Sequence, residues 1–385
     1  MASLRFSKRK QQSCQLLILL SLTACIWPLF AAAAAAQFAR LYDVQGGAVY
    51  LQRRNWKKFY RTYPRTMLLG DDLLNVEVGA DVVLLCPDGF LSDSIQVGVS
   101  NVGATCVGTP RTVRPSFGVS DQWHATDAGI PYTISPWSEQ VLSAVPPLRW
   151  NAVEGAAQYE VTLQQRLGET WTTVWTVTSD ESSMDYPVDQ PELEPGEEYA
   201  LRVTVASPLS EQMAGETANS ENASPPVTFR LIDGFDQQSL AEEIAEVAAF
   251  EIDAPTKTLI LAEEIYPRYK LFSQGITDLT ALIEAGHESA LVYRLLGDYY
   301  IRSGLALPAE SSYLNAIELA QTAENIEEAA LSTWGLGTLY GRTGKIDNAC
   351  TYLRQAQELA AELGDSDLRA NIDAEIARVS SASAE

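Results

Sequence analysis

The sequence predicts a multidomain β + α protein, with two β regions in series followed by an all-α solenoid. Three observations lead there. Short β-branched and aromatic runs, punctuated by glycine and proline, fill residues 37 to 235. Beyond residue 236 the chain turns helical and contains an internal repeat. Charge steps at the same places: residues 37 to 128 hold 9 basic and 9 acidic groups, residues 129 to 235 hold 4 and 16, and residues 236 to 385 hold 10 and 25.

The first 36 residues read as a secretory leader rather than as fold. Arg5, Lys8, Arg9 and Lys10 precede the apolar run "QLLILLSLTACIWPLFAAAAAA", with an A-x-A-like cleavage point near Ala36. Two alternatives stay open. "LTAC" resembles a bacterial lipobox, which implies lipidation at Cys25, and the run approaches the ~20 residues of an uncleaved membrane anchor. Losing four basic groups and no acids takes the net charge from −23 to −27. An exported chain of that charge is not expected to bind nucleic acid. Its membrane contact is expected only through the leader, if that is retained or lipidated. Outside the cytosol two cysteines pair more readily than they bind metal, so Cys86 and Cys106 are expected to form a disulfide. The loop they close contributes about 3 kcal/mol in the chain-entropy view. Cys350 is left as a small apolar residue.

Residues 37–115 form the first β region. "RLYDVQGGAVYLQ" is broken at Gly46-Gly47, "DVVLLC" is a short apolar strand, and "PDG" is a turn signal. No helical period is seen. The stretch "YLQRRNWKKFYRTYPR", residues 50 to 65, interleaves Arg53, Arg54, Lys57, Lys58, Arg61 and Arg65 with Trp56, Phe59, Tyr60 and Tyr63. It reads first as a hairpin whose Trp56 and Tyr60 cover a small β core while the basic groups stay wet. Two other readings are a cell-wall or glycan surface built by Arg53, Arg54, Trp56, Lys57, Lys58 and Tyr60, and internal docking onto the chain's own acidic modules. The V-Y strand at Val49-Tyr50, Leu68 to Leu73 around Gly70-Asp71, and Val82 to Leu85 before Asp88-Gly89 resemble a FecR-type β domain. That likeness implies an exported interaction module.

A linker is expected over residues 116–128 and a β-sandwich over 129–235. "YEVTL", "WTTVWTV", "YALRVTV" and "PVTFRL" nearly alternate. Trp150 in "LRWNAVEGAAQYEV", and Leu193, Pro195-Gly196 and Tyr199 in "LEPGEEYALRV", resemble a fibronectin type III domain. The resemblance implies that Trp150 lies in the core and that the Tyr199 hydroxyl bonds nearby backbone. "SPLSEQMAGETANSENASPP" reads as a polar excursion between strands.

Residues 236–385 are helical. "SLAE" at Ser239 to Glu242 has the form of a capping box. Two copies align without a gap at an offset of 40: Leu296-Gly297 with Leu336-Gly337, Tyr300 with Tyr340, Gly304 with Gly344, Ala309 with Ala349, Tyr313 with Leu353 and Ala316 with Ala356. Glycine and alanine let paired helices approach, the large residues fill between them, and Gly304 and Gly344 end first helices. The copies resemble the tetratricopeptide repeat, with lengthened helices near "LAQTAENIEEAALST" and a degenerate copy at Tyr266, Gly275, Leu279 and Leu282. "DLRANIDAEIARV" is expected to be a terminal capping helix. The resemblance implies a partner-binding groove lined by Arg294, Asp298 and Arg302 in one copy and Trp334, Thr338 and Arg342 in the next. Trp334 is either an exposed anchor or a packing residue. Such a groove would suit acidic or C-terminal-carboxylate ligands.

His124 and His287 are the two histidines, and no cluster has metal-ligand spacing. No phosphate-binding loop or nucleophile elbow occurs. No cofactor, metal site or catalytic residue is expected. The whole resembles cyanobacterial-type exported envelope proteins that join these three modules. It implies a non-enzymatic periplasmic or envelope scaffold that binds a protein or peptide partner, with a cell-wall polymer as the alternative ligand.

Overall fold

A computed structural model describes residues 37–110, 126–137, 139–206 and 223–382. The leader, Cys25, His124, most of the linker and most of the polar excursion lie outside the described residues. The described chain is β-rich in its N-terminal part and all-α in its C-terminal part.

The first β region has strands β1 (Ala39–Gln45), β2 (Val49–Gln52), β3 (Tyr60–Arg61), β4 (Met67–Leu68), β5 (Leu73–Val76), β6 (Asp81–Leu85) and β7 (Gly98–Asn101). They form two antiparallel sheets, in the orders β4-β1-β6 and β3-β2-β5-β7. Period-2 burial follows the sequence: Val49, Leu51, Leu74, Val76, Val82 and Leu84 turn inward. Gly46 adopts φ +73 between β1 and β2, a conformation open to glycine and strained for other residues. The chain also makes a one-turn helix that periodicity did not reveal, α1 (Val102–Thr105), capped by Asn101, whose Oδ1 accepts from the Ala104 N–H at 3.0 Å. A disulfide joins Cys86, after β6, to Cys106, after α1, with Cα atoms 5.1 Å apart.

The second β region has β8 (Thr133–Ser135), β9 (Glu139–Val141), β10 (Leu148–Trp150), β11 (Tyr159–Leu167), β12 (Thr170–Ser179), β13 (Ser183–Met184), β14 (Glu198–Val205) and β15 (Val227–Leu231). The sheet β13-β10-β8 faces β12-β11-β14-β15-β9, and the two share one core around Trp150, Tyr159, Trp175, Tyr199 and Phe229. Pairing is antiparallel except between β15 and β9. The Tyr199 hydroxyl accepts from the Glu194 N–H at 2.9 Å, which pins the turn ahead of β14.

Helices follow: α2 (Gly234–Ala249), α3 (Ala254–Ile260) continuing as a π-turn over Leu261–Ile265, α4 (Phe272–Glu284), α5 (Ala290–Arg302), α6 (Ala306–Thr322), α7 (Ile326–Arg342), α8 (Ile346–Leu363) and α9 (Ser366–Ala382). The capping box is corrected. The helix begins at Gly234, just past β15, so Ser239 lies inside α2 rather than at its start.

The repeated residues pack α5 on α6 and α7 on α8. Ala309, Ala349, Tyr313 and Leu353 are fully buried. The Tyr313 ring is held between two glycines: a Cβ on Gly297 would lie 2.8 Å from it, and one on Gly335 2.6 Å. Gly304 and Gly344 follow α5 and α7 with φ +70 and +77. The long offset has a physical source, because α6 and α7 have 17 residues each against 13 in α5. In the degenerate copy Gly275 serves the same end, since a Cβ there would meet Tyr299 at 2.3 Å.

Gly297→Ala is expected to destabilise the protein by about 1–3 kcal/mol, the usual cost of overpacking a rigid site. Denaturant unfolding checks this. The exposed Gly155, whose Cβ would meet nothing within 4 Å, is an unsuitable control because its φ is +80. Ala374→Ser on the exposed face of α9 is the control and should change stability little.

Candidate functional site

The basic-aromatic strip docks on the helical array. A helix leaves its last carbonyls without partners and carries partial negative charge at that end. At the end of α8 the strip supplies the missing donors. The Lys57 N–H donates to Leu363 O at 2.8 Å and Lys57 Nζ to Ala361 O at 2.5 Å. The Tyr60 hydroxyl donates to Glu362 O. Just beyond, Trp56 Nε1–H donates to Asp365 at 3.1 Å, and Asn55 Nδ2 to Asp367 at 3.3 Å. The Tyr63 hydroxyl donates to Ala323 O, at the end of α6. One basic hairpin thus closes the C-terminal ends of both repeats' second helices.

Trp56 and Tyr60 are buried, edge to face with centroids 5.6 Å apart. Their rings lie against the helices as well as the β core, so they do not offer the open stacking faces that the glycan reading needs. The expectation that the basic groups stay wet holds for Arg54, Lys57, Lys58 and Arg61, which are exposed, and is corrected for Arg53. Arg53 reaches Asp72 at 2.8 Å and Glu327, in the first turn of α7, at 2.7 Å, beneath the Trp56 ring. Its charged form is strongly held: burial opposes it, but Glu327 and Asp72 outweigh burial. Burial pushes the Glu327 carboxyl up to about 7, against the pull of Arg53 and with the push of Glu328. Burial likewise raises Asp72. A second tie runs from Arg40 on β1, fully buried, to Glu263 at 2.8 Å and Glu264 at 2.5 Å on the π-turn.

The predicted groove residues divide into two groups. Arg294 and Asp298 are corrected: both are buried inside an ion-pair network rather than lining an open groove. Arg294 meets Glu328 at 2.7 Å, Asp298 at 2.8 Å and Glu263 at 3.7 Å. The Tyr313 hydroxyl donates to Asp298 at 2.8 Å. Acids from neighbouring helices thus occupy the space a ligand would need. Arg302 is half-buried; burial raises the Asp298 carboxyl, and Arg294 and then Arg302 oppose that rise only in part.

Trp334, Thr338 and Arg342 do line a cleft of about 310 Å³, between α7 and α9. Its other wall is Asn371, Ala374, Glu375 and Arg378 of α9. Trp334 is a packing residue, mostly buried, with its remaining surface at the cleft. Arg378 pairs with Glu375 at 2.5 Å, and Arg342 lies 3.9 Å from the same carboxylate. The two arginine side chains remain about one-third exposed, at 31% and 32%. Two cations against one anion, beside a tryptophan, make a site suited to a carboxylate with an apolar neighbour. The α9 residues were missed in the sequence because a terminal helix reads as a polar cap. The signal available was Glu375 and Arg378 at i, i+3.

Among the described residues no group of three or more His, Cys, Asp or Glu could hold a metal ion. Among the same residues no helix is long and apolar enough to cross a membrane. Compared with known proteins, the chain matches no family model and no curated protein sequence.

Arg53→Met strands the buried Asp72 carboxylate and the partly buried Glu327 and is expected to cost about 3 kcal/mol, measured by denaturant unfolding. The pH dependence carries a definite sign. The folded Glu327 sits at about 7 against an ordinary 4.5, so its contribution is fully present below 4.5 and lost as pH rises through about 7. The melting temperature should therefore fall between about pH 4.5 and pH 7 and level off above that. Glu327→Gln should flatten that fall. An unchanged slope in the variant would place the titration elsewhere.

Proposed function

We propose that this chain is an exported, non-enzymatic scaffold whose helical array binds a protein or peptide partner bearing an acidic side chain or a free C-terminal carboxylate. The observation that carries this reading is the cleft between α7 and α9, with Trp334 at its wall and Arg342 and Arg378 at its mouth. The first region as a FecR-type module is supported by its paired short strands and its docking role. The second region as a fibronectin type III domain is supported by its sheet orders, by Trp150 in the core and by the Tyr199 corner. The third region as tetratricopeptide repeats is supported by glycine–tyrosine and glycine–leucine contacts at equivalent places in the two copies. A leader sequence and a disulfide together support an envelope or periplasmic location.

Cross-linked co-purification from native envelopes tests the cleft. Arg294 is unsuitable for it, because its loss would disrupt the array itself. Ala374→Trp fills the cleft from an exposed position, and Arg342→Ala removes a cation. Circular dichroism should show both variants melting near the parent. A partner recovered with the parent should be lost with Ala374→Trp and reduced about tenfold with Arg342→Ala. An identical catch from all three proteins would sink the cleft reading.

A further inference from the structure

Edge strands expose unpaired backbone groups, and proteins commonly blunt them with lysine, proline or a covering segment. β12 is an edge of the five-stranded sheet, and among the described residues no strand pairs with its outer side. Its ten residues, "TWTTVWTVTS", contain no charge, no proline and no glycine. They are β-branched or aromatic apart from the last serine, the composition that favours strand addition. The strand is held rigid from inside: Trp175 is buried and its Nε1–H donates to the Tyr186 hydroxyl at 3.1 Å. A bulge at Val174, skipped between the pairs Leu163–Trp175 and Gln164–Thr173, is its one irregularity. It leaves regular runs on both sides, Thr170–Thr173 and Trp175–Ser179.

The ends of this edge carry the information about its occupant. Exposed Glu169 lies at one end, and exposed Asp180 and Glu181 at the other. If a second copy paired antiparallel through the whole of β12, Glu169 would stand opposite Asp180, or opposite Glu181 one residue along, and a register slipped by one or two residues would still leave these charges close neighbours. The dyad would repeat that clash. Like charges across a strand pair are destabilising, and the whole chain carries −23. The same charges attract a segment of opposite sign. We propose that β12 is a docking edge for an extended segment of another protein, free of proline and carrying lysine or arginine at both ends. Main-chain hydrogen bonds supply the pairing, and the acidic ends set its register and reject a second copy.

The probes are peptides of four Thr-Val pairs, flanked at each end by two lysines or by two glutamates. A third peptide has lysine ends and N-methyl groups on alternate amides. In fluorescence-anisotropy titrations the lysine-ended peptide should bind the protein at least tenfold more tightly than either of the others. Hydrogen exchange should slow over residues 170 to 179 on binding. Thr178→Lys, at an exposed position, should weaken binding about tenfold while the protein melts as the parent does. Equal binding of the lysine-ended peptide and its N-methyl form would mean charge attraction without strand pairing, and overturns the proposal. So would unchanged exchange along β12. Concentration-dependent dimerisation with β12 protected would make a second copy the occupant and overturn it equally.

Discussion

Every helix ends with carbonyls that its own backbone cannot satisfy. In an array of helix pairs those ends line up along one edge, where water ordinarily serves them. Here a hairpin from far upstream takes that place. Lys57 and Tyr60 close the end of α8, and Tyr63 closes the end of α6. Arg53, one turn away, joins the first turn of α7 to Asp72 in the β region. The basic, aromatic composition of the strip follows from its target. Helix C-terminal ends are partially negative, the helical region is rich in carboxylates, and a donor-rich segment is what both require. The strip is the complement of the chain's own acidity.

The rest of the architecture follows from this dock. Because Arg40 and Arg53 tie β1 and the strip to the π-turn and to α7, the buried cluster runs without interruption from the first β region into the helices. The second β region joins the same body by a shorter contact: the Trp137 N–H donates to Ser273 Oγ at 2.7 Å. Buried charge is retained where partners are complete. Arg294 has three carboxylates around it, and Asp298 has both Arg294 and the Tyr313 hydroxyl. Such groups stabilise only as a set, since removal of one member leaves the others in a medium that solvates them poorly.

Sequence pattern reveals what is local. The offset of 40 could be read because each repeat's contacts, such as Gly297 with Tyr313, recur within one helix pair. The strands of the first region could be read from alternation, as at Val49 and Leu51. Contacts between distant segments leave a coarser trace: the charge contrast raises internal docking of the strip but gives no partner. Nothing near Trp56 announces Asp365, more than three hundred residues away. The repeat pattern points Arg294 toward an open groove, but it does not say that Glu263 and Glu328 surround that side chain. The capping box at Ser239 failed for a related reason: a four-residue motif carries no record of the strand that ends at Leu231 and turns straight into the helix.

A stack of helix pairs behaves mechanically as a spring, and its softest deformation is a change of curvature that spreads over all its repeats. A strut fixed at α6, α7 and the α8–α9 turn opposes that change of curvature. The α7–α9 spacing then rests on direct packing, as at Gly341 against Val379, and on the strip's hold on Glu327 and Asp365. A cleft braced in this way would bind as a rigid mould does: it would lose little ordering entropy and would refuse ligands of the wrong width.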